Sequence, residues 1–368
     1  MARNALAAHE TLSFSDLKSL ACADGPCITI VMDLPNPVGL EARLKNALRT
    51  VRKQLAEYEV DEPEQERLLA PIEGVIGQIG SDGIWANAVV LLRSPDIFQY
   101  YFLYGQFQER IVVGDRFQVS PLLSALAHEQ SFHLLALSQH NTRLLQCTPH
   151  SLDEMSLTGF APSDMRTWLN TRQPDHVLDG RSFAGPSIGN MKGVKFGTNS
   201  DHDREDLYLA HFFGDVDRGV RSILRNHAGP LILAGVEYEV ASYRRVNSYS
   251  YVMDRAVQGS PDGIPDRELH RRAREIMMST PSAELSKALA APERMDPSRI
   301  ATEPVEIFSA ATEGRVSDLF VCDTLSGDGI AELMNTAALE TLKNGGRAFT
   351  LRREGMPMAA DAAAVLRF

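Results

Sequence analysis

The sequence predicts a mixed α/β (α+β) protein built from three successive domains. Short apolar runs of strand length alternate with amphipathic stripes whose apolar residues recur every three or four positions. Dense turn clusters break that pattern, most clearly at GSPDGIPD, Gly259–Asp266. The length of 368 residues also exceeds the ~100–200 residues of an ordinary domain. The expected divisions are an N-terminal α/β domain over 1–130, a central domain with a Gly-rich loop over 131–262, and a C-terminal α/β domain over 263–368.

In the first stretch, TLSFSDLKSL opens a helix and CITIVMDL (Cys27–Leu34) is an apolar strand that Pro35 and Pro37 end. Leu40, Leu44, Leu48, Val51, Leu55 and Tyr58 then share one helical face. After the acidic DEPEQE, a second stripe runs through Leu68, Leu69, Ile72, Val75, Ile76 and Ile79. Two helices joined by a short polar turn predict an antiparallel pair packed on a core. WANAVVLL, QYYFLY and RIVV are strands of a mostly antiparallel sheet, and VSPLLSALAHEQ is a short closing helix.

SFHLLALSQHNTRLLQC is a hairpin with its turn at Gln139–Asn141. Residues 148–202 are polar and turn-rich. Gly185, Gly189, Gly193 and Gly197 fall every fourth residue there, which denies the backbone side-chain packing and predicts a loop. A helix from about Asp203 to Asn226 follows, with the stripe Leu209, Phe212, Phe213, Val216, Val220, Ile223 and Leu224. Ser200 and Asp203 resemble a capping box, and acids lead the helix while arginines close it. GPLILAGVEYEV is expected as one buried strand. The last stretch alternates: a helix from about Arg267 to Ala290, a helix at Pro304–Thr312, a strand at SDLFVCD, a helix at GIAELMNTAALETLKN, and strands at RAFTLRR and AAAVLRF. Gly345 and Gly346 sit where a left-handed cap ends that long helix.

Composition narrows function. The chain is 44% hydrophobic and 23% charged, ordinary for a globular protein, and has no unbroken apolar run of membrane length. The N-terminus makes a poor secretion signal, and Cys22, Cys27, Cys147 and Cys322 form no CxxC pair, so a reducing cytoplasm is the expected location. Net charge is −11. Residues 1–130 carry 11 Lys/Arg against 17 Asp/Glu, residues 131–260 carry 13 against 14, and residues 261–368 carry 13 against 17. Such a chain does not coat nucleic acid non-specifically, so an RNA contact needs a local basic surface. Arg43, Lys45, Arg49, Arg52 and Lys53 on the first long helix form one.

No GxxxxGK[ST], GxGxxG, HExxH or GxSxG motif is present, and no catalytic residue, metal or cofactor is expected. The GDG of Ser326–Ile330, between a strand and a helix, has the position of an anion site at a helix N-terminus, but a plain helix start is the preferred reading. The strand FHLLALS lacks the carboxylates a two-metal nuclease needs. What stands out is Lys192 and Lys195 in the Gly-rich loop, with Arg218, Arg221 and Arg225 spaced i, i+3, i+7 on the following helix. These cations suit phosphate contacts.

The stretches RIVVGDRFQVSPLLSAL, FHLLALSQHNTRLL, GPLILAGVEYEVASYRRVNSY, GRVSDLFVCD, AALETLKNGGRAFTLRREGMP and AAAVLRF together carry a resemblance from about Leu12 to Phe368. The chain resembles the bacterial relatives of archaeal and eukaryotic class-one release factors, the group that includes Pelota. The resemblance implies an N-terminal α/β domain, a central ribonuclease-H-like domain without nuclease activity, and a C-terminal α/β/α domain similar to kink-turn-binding ribosomal proteins. The family's catalytic signature is a Gly-Gly-Gln loop before the long central helix, which positions the water that cleaves peptidyl-tRNA. The matching place here, Gly193–Ser200, is GVKFGTNS and holds no such tripeptide. The adjacent glycines Gly345 and Gly346 are followed by Arg347, in another domain. The resemblance therefore implies a non-hydrolysing factor that occupies the ribosomal A site in rescue or hibernation. Its contacts with ribosomal RNA would be Lys192, Lys195, Phe196, Gly197 and Thr198 at the loop tip, with Arg218, Arg221 and Arg225. A translational GTPase is a further implied partner; DNA and membrane are not. Two other readings stand beside it: a hydrolase or nuclease-like enzyme reusing the fold, with Asp201 and Asp203 converging on a metal, and an acidic protein-binding stress scaffold.

Overall fold

Helix α1 (Phe14–Leu20) begins at a capping box. The Ser13 hydroxyl accepts from the Asp16 amide, and the Asp16 carboxylate accepts from the Ser13 amide. The computed structural model describes residues 12–23, 25–34, 40–79, 86–105, 107–128, 130–149, 151–171, 199–292, 296–325 and 328–368. The chain divides into two units, residues 1–130 with 277–368, and residues 131–276.

In the first unit, β1 (Cys27–Asp33), α2 (Leu40–Glu57), α3 (Glu62–Ile79), β2 (Ala88–Arg93), β3 (Phe98–Leu103), β4 (Arg110–Gly114) and α4 (Ser120–His128) follow in order. The strands form an antiparallel sheet in the order β3-β2-β1-β4. The period of two in β1 decides which layer each residue joins. Ile28, Ile30 and Met32 pack against Leu44, Leu48, Val51 and Leu55 of α2 and Leu68, Leu69 and Ile72 of α3. Cys27 and Val31 face the opposite layer with α1 and α4. Tyr58, expected on the α2 stripe, lies past the helix end and is exposed.

The second unit begins with β5 (Phe132–Ala136), β6 (Arg143–Cys147) and β7 (Leu152–Met155). It continues with α5 (Met165–Thr171), α6 (Asn199–Leu224), β8 (Leu231–Gly235), α7 (Glu237–Val246), β9 (Val252–Gln258) and α8 (Asp266–Met278). Sheet order is β7-β6-β5-β8-β9; β5, β8 and β9 are parallel, β6 is antiparallel to β5, and β7 is antiparallel to β6. This agrees with the ribonuclease-H-like domain that the resemblance implies. Three expectations change. The segment GPLILAGVEYEV is not one strand: β8 stops at Gly235 and α7 begins at Glu237. A Cβ at Gly235 would lie 3.2 Å from Leu137 Cβ, so the chain can turn into a helix hard against β5. The turn-rich stretch from 148 onward holds β7 and α5, and α6 starts at Asn199, ahead of the expected Asp203. Helix α8 belongs here as far as Ile276 rather than to the C-terminal stretch. Arg143 on β6 holds Asp266 through two hydrogen bonds of 2.9 and 3.0 Å, and His270 Nε2 meets the Thr148 carbonyl at 2.8 Å.

The chain then returns to the first unit with α9 (Ala283–Leu289), β10 (Ile300–Ala301), α10 (Pro304–Thr312), β11 (Val316–Cys322), α11 (Asp328–Lys343), β12 (Arg347–Leu351) and β13 (Ala362–Leu366). The expected helix from Arg267 to Ala290 is thus two helices, α8 and α9. The sheet order is β10-β13-β11-β12. Leu319, Ala348 and Ala364 face α10 and α11, while Phe320, Phe349 and Val365 face α9 and Ala127 of α4, giving three α/β/α layers. One core joins the two sheets of this unit. At its centre the buried Asn335 carboxamide donates to the Phe117 carbonyl at 2.9 Å and accepts from the Val119 amide at 3.0 Å. Among the described residues no helix is long and apolar enough to cross a membrane.

Helix α11 ends in a Schellman motif. The Gly346 amide donates to the Thr341 carbonyl at 2.8 Å, the Gly345 amide donates to Leu342 at 3.0 Å, and Gly345 has φ +75°. A Cβ on Gly346 would lie 2.7 Å from Thr341 Cγ2 and 2.8 Å from the Val316 carbonyl. Gly346→Ala is expected to cost roughly 1–3 kcal/mol in urea unfolding, more than Gly345→Ala at about 1 kcal/mol. Equal midpoints for Gly346→Ala and the parent would refute the motif's role.

Candidate functional site

Helix α6 is amphipathic, and its apolar side settles how it lies. Leu209, Phe212, Phe213, Val216, Val220 and Leu224 are buried against Leu135, Leu137, Leu144, Leu231 and Leu233 of the sheet. Each such side chain gains about 1.5–3 kcal/mol on burial. At Gly219 the loop before α5 comes so close that a Cβ would lie 2.5 Å from the Phe160 carbonyl and 2.4 Å from Ala161 Cβ.

Two aspartates tie the flanks of the helix. Asp215 accepts from Trp168 Nε1 at 2.9 Å. Asp217, 3% exposed, accepts from the Tyr243 hydroxyl at 3.2 Å, the Ser248 amide at 3.2 Å and the Ser248 hydroxyl at 2.5 Å. Burial, reinforced by the Asp217 charge, pushes the Tyr243 phenol well above its ordinary value, so it stays a donor.

This arrangement turns Arg218, Arg221 and Arg225 outward, as their spacing predicts, and all three are exposed. Arg218 pairs with Asp215. Arg221 donates to the Ser248 hydroxyl at 3.0 Å, while that hydroxyl donates onward to Asp217. Arg221 is therefore aimed by a neutral partner and keeps its charge for something else. Phe160, 58% exposed, flanks the row beside Gly219. Sequence reasoning missed it; the only signal was an aromatic residue in the turn SLTGFAPSD. Lys192, Lys195, Phe196, Gly197 and Thr198 lie outside the described residues, as do the side chains of Ser200, Asp201 and Asp203. Of the expected contacts, only the three arginines are brought together here.

The other basic patch is largely neutralised. Arg43 pairs with Glu109, Lys45 with Glu41, Arg52 with Glu73 and Lys53 with Glu57, leaving Arg49 on Asn46. Among the described residues no cluster of three or more His, Cys, Asp or Glu side chains could hold a metal. At the C-terminal edge of β5 and β8, Asp262 accepts from the Ser138 hydroxyl at 2.6 Å. Nearby Glu239, 5% exposed, has its carboxyl pushed up by burial. These two acids close the β5–β6 turn and the start of α7.

His133 on β5 is 6% exposed, and neither ring nitrogen has a hydrogen-bond partner among the described residues. Burial, with His227 adding to it, holds its pKa down at about 4. Below pH ~6.5 the unfolded chain takes up a proton that the native site refuses, so stability falls from pH 6.5 to 4. The parent is expected to lose roughly 3 kcal/mol more than His133→Phe across that span. Parallel stability–pH curves from urea titrations would contradict it.

A family model described as bacterial archaeo-eukaryotic release factor family 3 matches residues 131–315, just over half of the chain. No curated protein matches. Similar solved structures include the archaeal translation termination factor aRF1, at 13% identity over 98% of this chain and 100% of that one, TM-score 0.26. Archaeoglobus fulgidus Pelota is 14% identical over 76% and 79%, TM-score 0.36. An archaeal Pelota described as ribosome-bound with ABCE1 is 10% identical over 98% and 95%, TM-score 0.35.

Proposed function

The chain belongs to bacterial archaeo-eukaryotic release factor family 3, and on that premise we propose that it is a ribosome-binding translation factor that cleaves no bond itself. It occupies the A site of stalled or idle ribosomes, in rescue or hibernation, and works in the cytoplasm. The observation that carries this reading is one helix with two properties. Its exposed back is a row of arginines, and the segment leading into it lacks the Gly-Gly-Gln with which the family's catalytic members cut peptidyl-tRNA. Peptide release needs a backbone that can approach the ester closely. Here a lone Gly197 stands between the side chains of Phe196 and Thr198, without the paired glycines that give that freedom.

In this proposal Arg218, Arg221 and Arg225 meet ribosomal RNA phosphates, and Lys192 and Lys195 extend the contact from the loop. Phe160 offers a ring on which an unpaired base can stack. A translational GTPase is the proposed delivery partner.

Ribosome co-sedimentation over a salt series tests it. Neutralising the row as Arg218→Gln, Arg221→Gln and Arg225→Gln is expected to weaken binding about tenfold or more. It should also lower the salt slope by roughly 0.7–0.9 for each phosphate the variant no longer neutralises. Lys192→Glu with Lys195→Glu is expected to act in the same direction. Glutamine at the arginine positions spares Asp217 from a new like charge, so circular dichroism should stay unchanged. A parent protein that remains in the supernatant at low salt, or that frees nascent chains from stalled complexes, would overturn the proposal.

A further inference from the structure

The loop between α7 and β9, residues 247–251, is pinned by hydrogen bonds along its length. The Asn247 carboxamide accepts from the Tyr249 amide and donates to the Tyr249 carbonyl, both at 3.1 Å. Ser248 gives its amide and its hydroxyl to the buried Asp217. The Tyr249 hydroxyl accepts from the Gly229 amide at 2.9 Å and donates to the Gly229 carbonyl at 2.7 Å. The Tyr251 carbonyl accepts from the Leu231 amide at 2.8 Å.

On this fixed backbone Tyr249 is buried, but Tyr251 is 58% exposed. The two rings meet at 68° with centroids 5.6 Å apart. Such an edge contact covers at most one face of Tyr251. Lone exposed rings are ordinary on protein surfaces; the setting of this one is not. Ser248, three residues earlier, is the group on which Arg221 is aimed. Three residues span at most about 10 Å, roughly three nucleotides stacked about 3.4 Å apart. Past the ring, Arg244 donates to the Met253 and Asp254 carbonyls at 2.9 and 2.6 Å and brings a second guanidinium to the loop. Exposed Asp254 and Arg255 on β9 offset each other in charge.

We infer that Tyr251 stacks an unpaired RNA base whose phosphate lies on Arg221. This rests on the reading that the arginine row meets RNA, and it adds what kind of RNA that is. Phe160 stands on the flank of α6 beside Gly219, and the Tyr251 loop is tied to the other flank through Asp217. Rings on both flanks of one arginine row favour RNA with unpaired bases over a continuous duplex, whose stacked bases present no free face. The pinned loop has little conformational freedom left to lose on binding.

Fluorescence anisotropy of the full chain with labelled RNA hairpins tests it. One hairpin carries an adenosine loop, the other an abasic loop of equal length and charge. The parent is expected to bind the adenosine hairpin about fivefold or more tightly than the abasic one. Tyr251→Ala and Tyr251→Leu should each weaken the adenosine hairpin about fivefold and leave the abasic one unchanged, while Tyr251→Phe keeps parental binding. Leucine preserves apolar bulk against Tyr249, and a merely structural role would weaken both hairpins alike. Absent or equal binding of the two hairpins by the parent, equal loss on both in Tyr251→Leu, or unchanged adenosine binding in Tyr251→Ala would each overturn the inference. So would a Tyr251→Leu defect seen only with ribosomes, which would assign the ring to a protein contact. Ribosome co-sedimentation of the arginine variants tests the row separately, so the row can stand where the ring fails.

Discussion

The burial of one face of α6 governs the candidate site. Six large apolar side chains on that face reach the sheet, at about 1.5–3 kcal/mol each. An exposed ion pair such as Arg218–Asp215 contributes at most about 1 kcal/mol. The core therefore decides how the helix is rotated, and the arginines take whatever direction remains. Gly219 sharpens the result. Because nothing larger fits against residues 160 and 161, the loop closes over one flank of the helix, and Asp217 closes the other through Tyr243 and Ser248. With both flanks covered along this stretch, Arg218, Arg221 and Arg225 lie on the strip left to solvent.

Side-chain amides do comparable work in the first unit, with different consequences set by burial. Asn335 satisfies the backbone at Phe117 and Val119 deep inside the core. Losing it would leave a buried donor and acceptor unpaired, at about 1–3 kcal/mol each. Gln54 makes the same kind of two-point contact with the outer edge of β4, where it is only part-buried. There water can replace it. One amide locks two sheets into one core; the other keeps an edge strand covered.

Much of this architecture was legible in the residues. The α2 and α6 stripes, the β5–β6 hairpin and the Schellman glycines follow from local periodicity and turn chemistry. The arginine spacing alone placed Arg218, Arg221 and Arg225 on one face. What escaped was non-local. Nothing in GPLILAGVEYEV announces that Gly235 turns against Leu137, although Glu237 and Glu239 in a first helical turn were a usable hint. The strand LDEM has too few apolar residues to stand out, and it exists because β6 offers it a partner. Ser248, which aims Arg221, lies 27 residues away in the chain. The core shared by the first and last thirds of the sequence has no local signature at all.

The overall charge of −11 does not forbid contact with a polyanion, because distance decides which charges count. At physiological salt the Debye length is about 8 Å, so acids farther than that from a phosphate are largely screened. What a phosphate feels on approach is the nearest turn or two of helix. On α6 that is three arginines opposed at close range by Asp215, with Asp217 sealed beneath Ser248 and Tyr243. The acidic remainder still acts at long range when salt is low, where it opposes association with nucleic acid in general. In the proposed role, a chain built this way resists indiscriminate binding and needs a partner that presents phosphates at the spacing of one helical face. A structured ribosomal RNA surface meets that condition, whereas a free single strand must first pay the entropy of ordering itself.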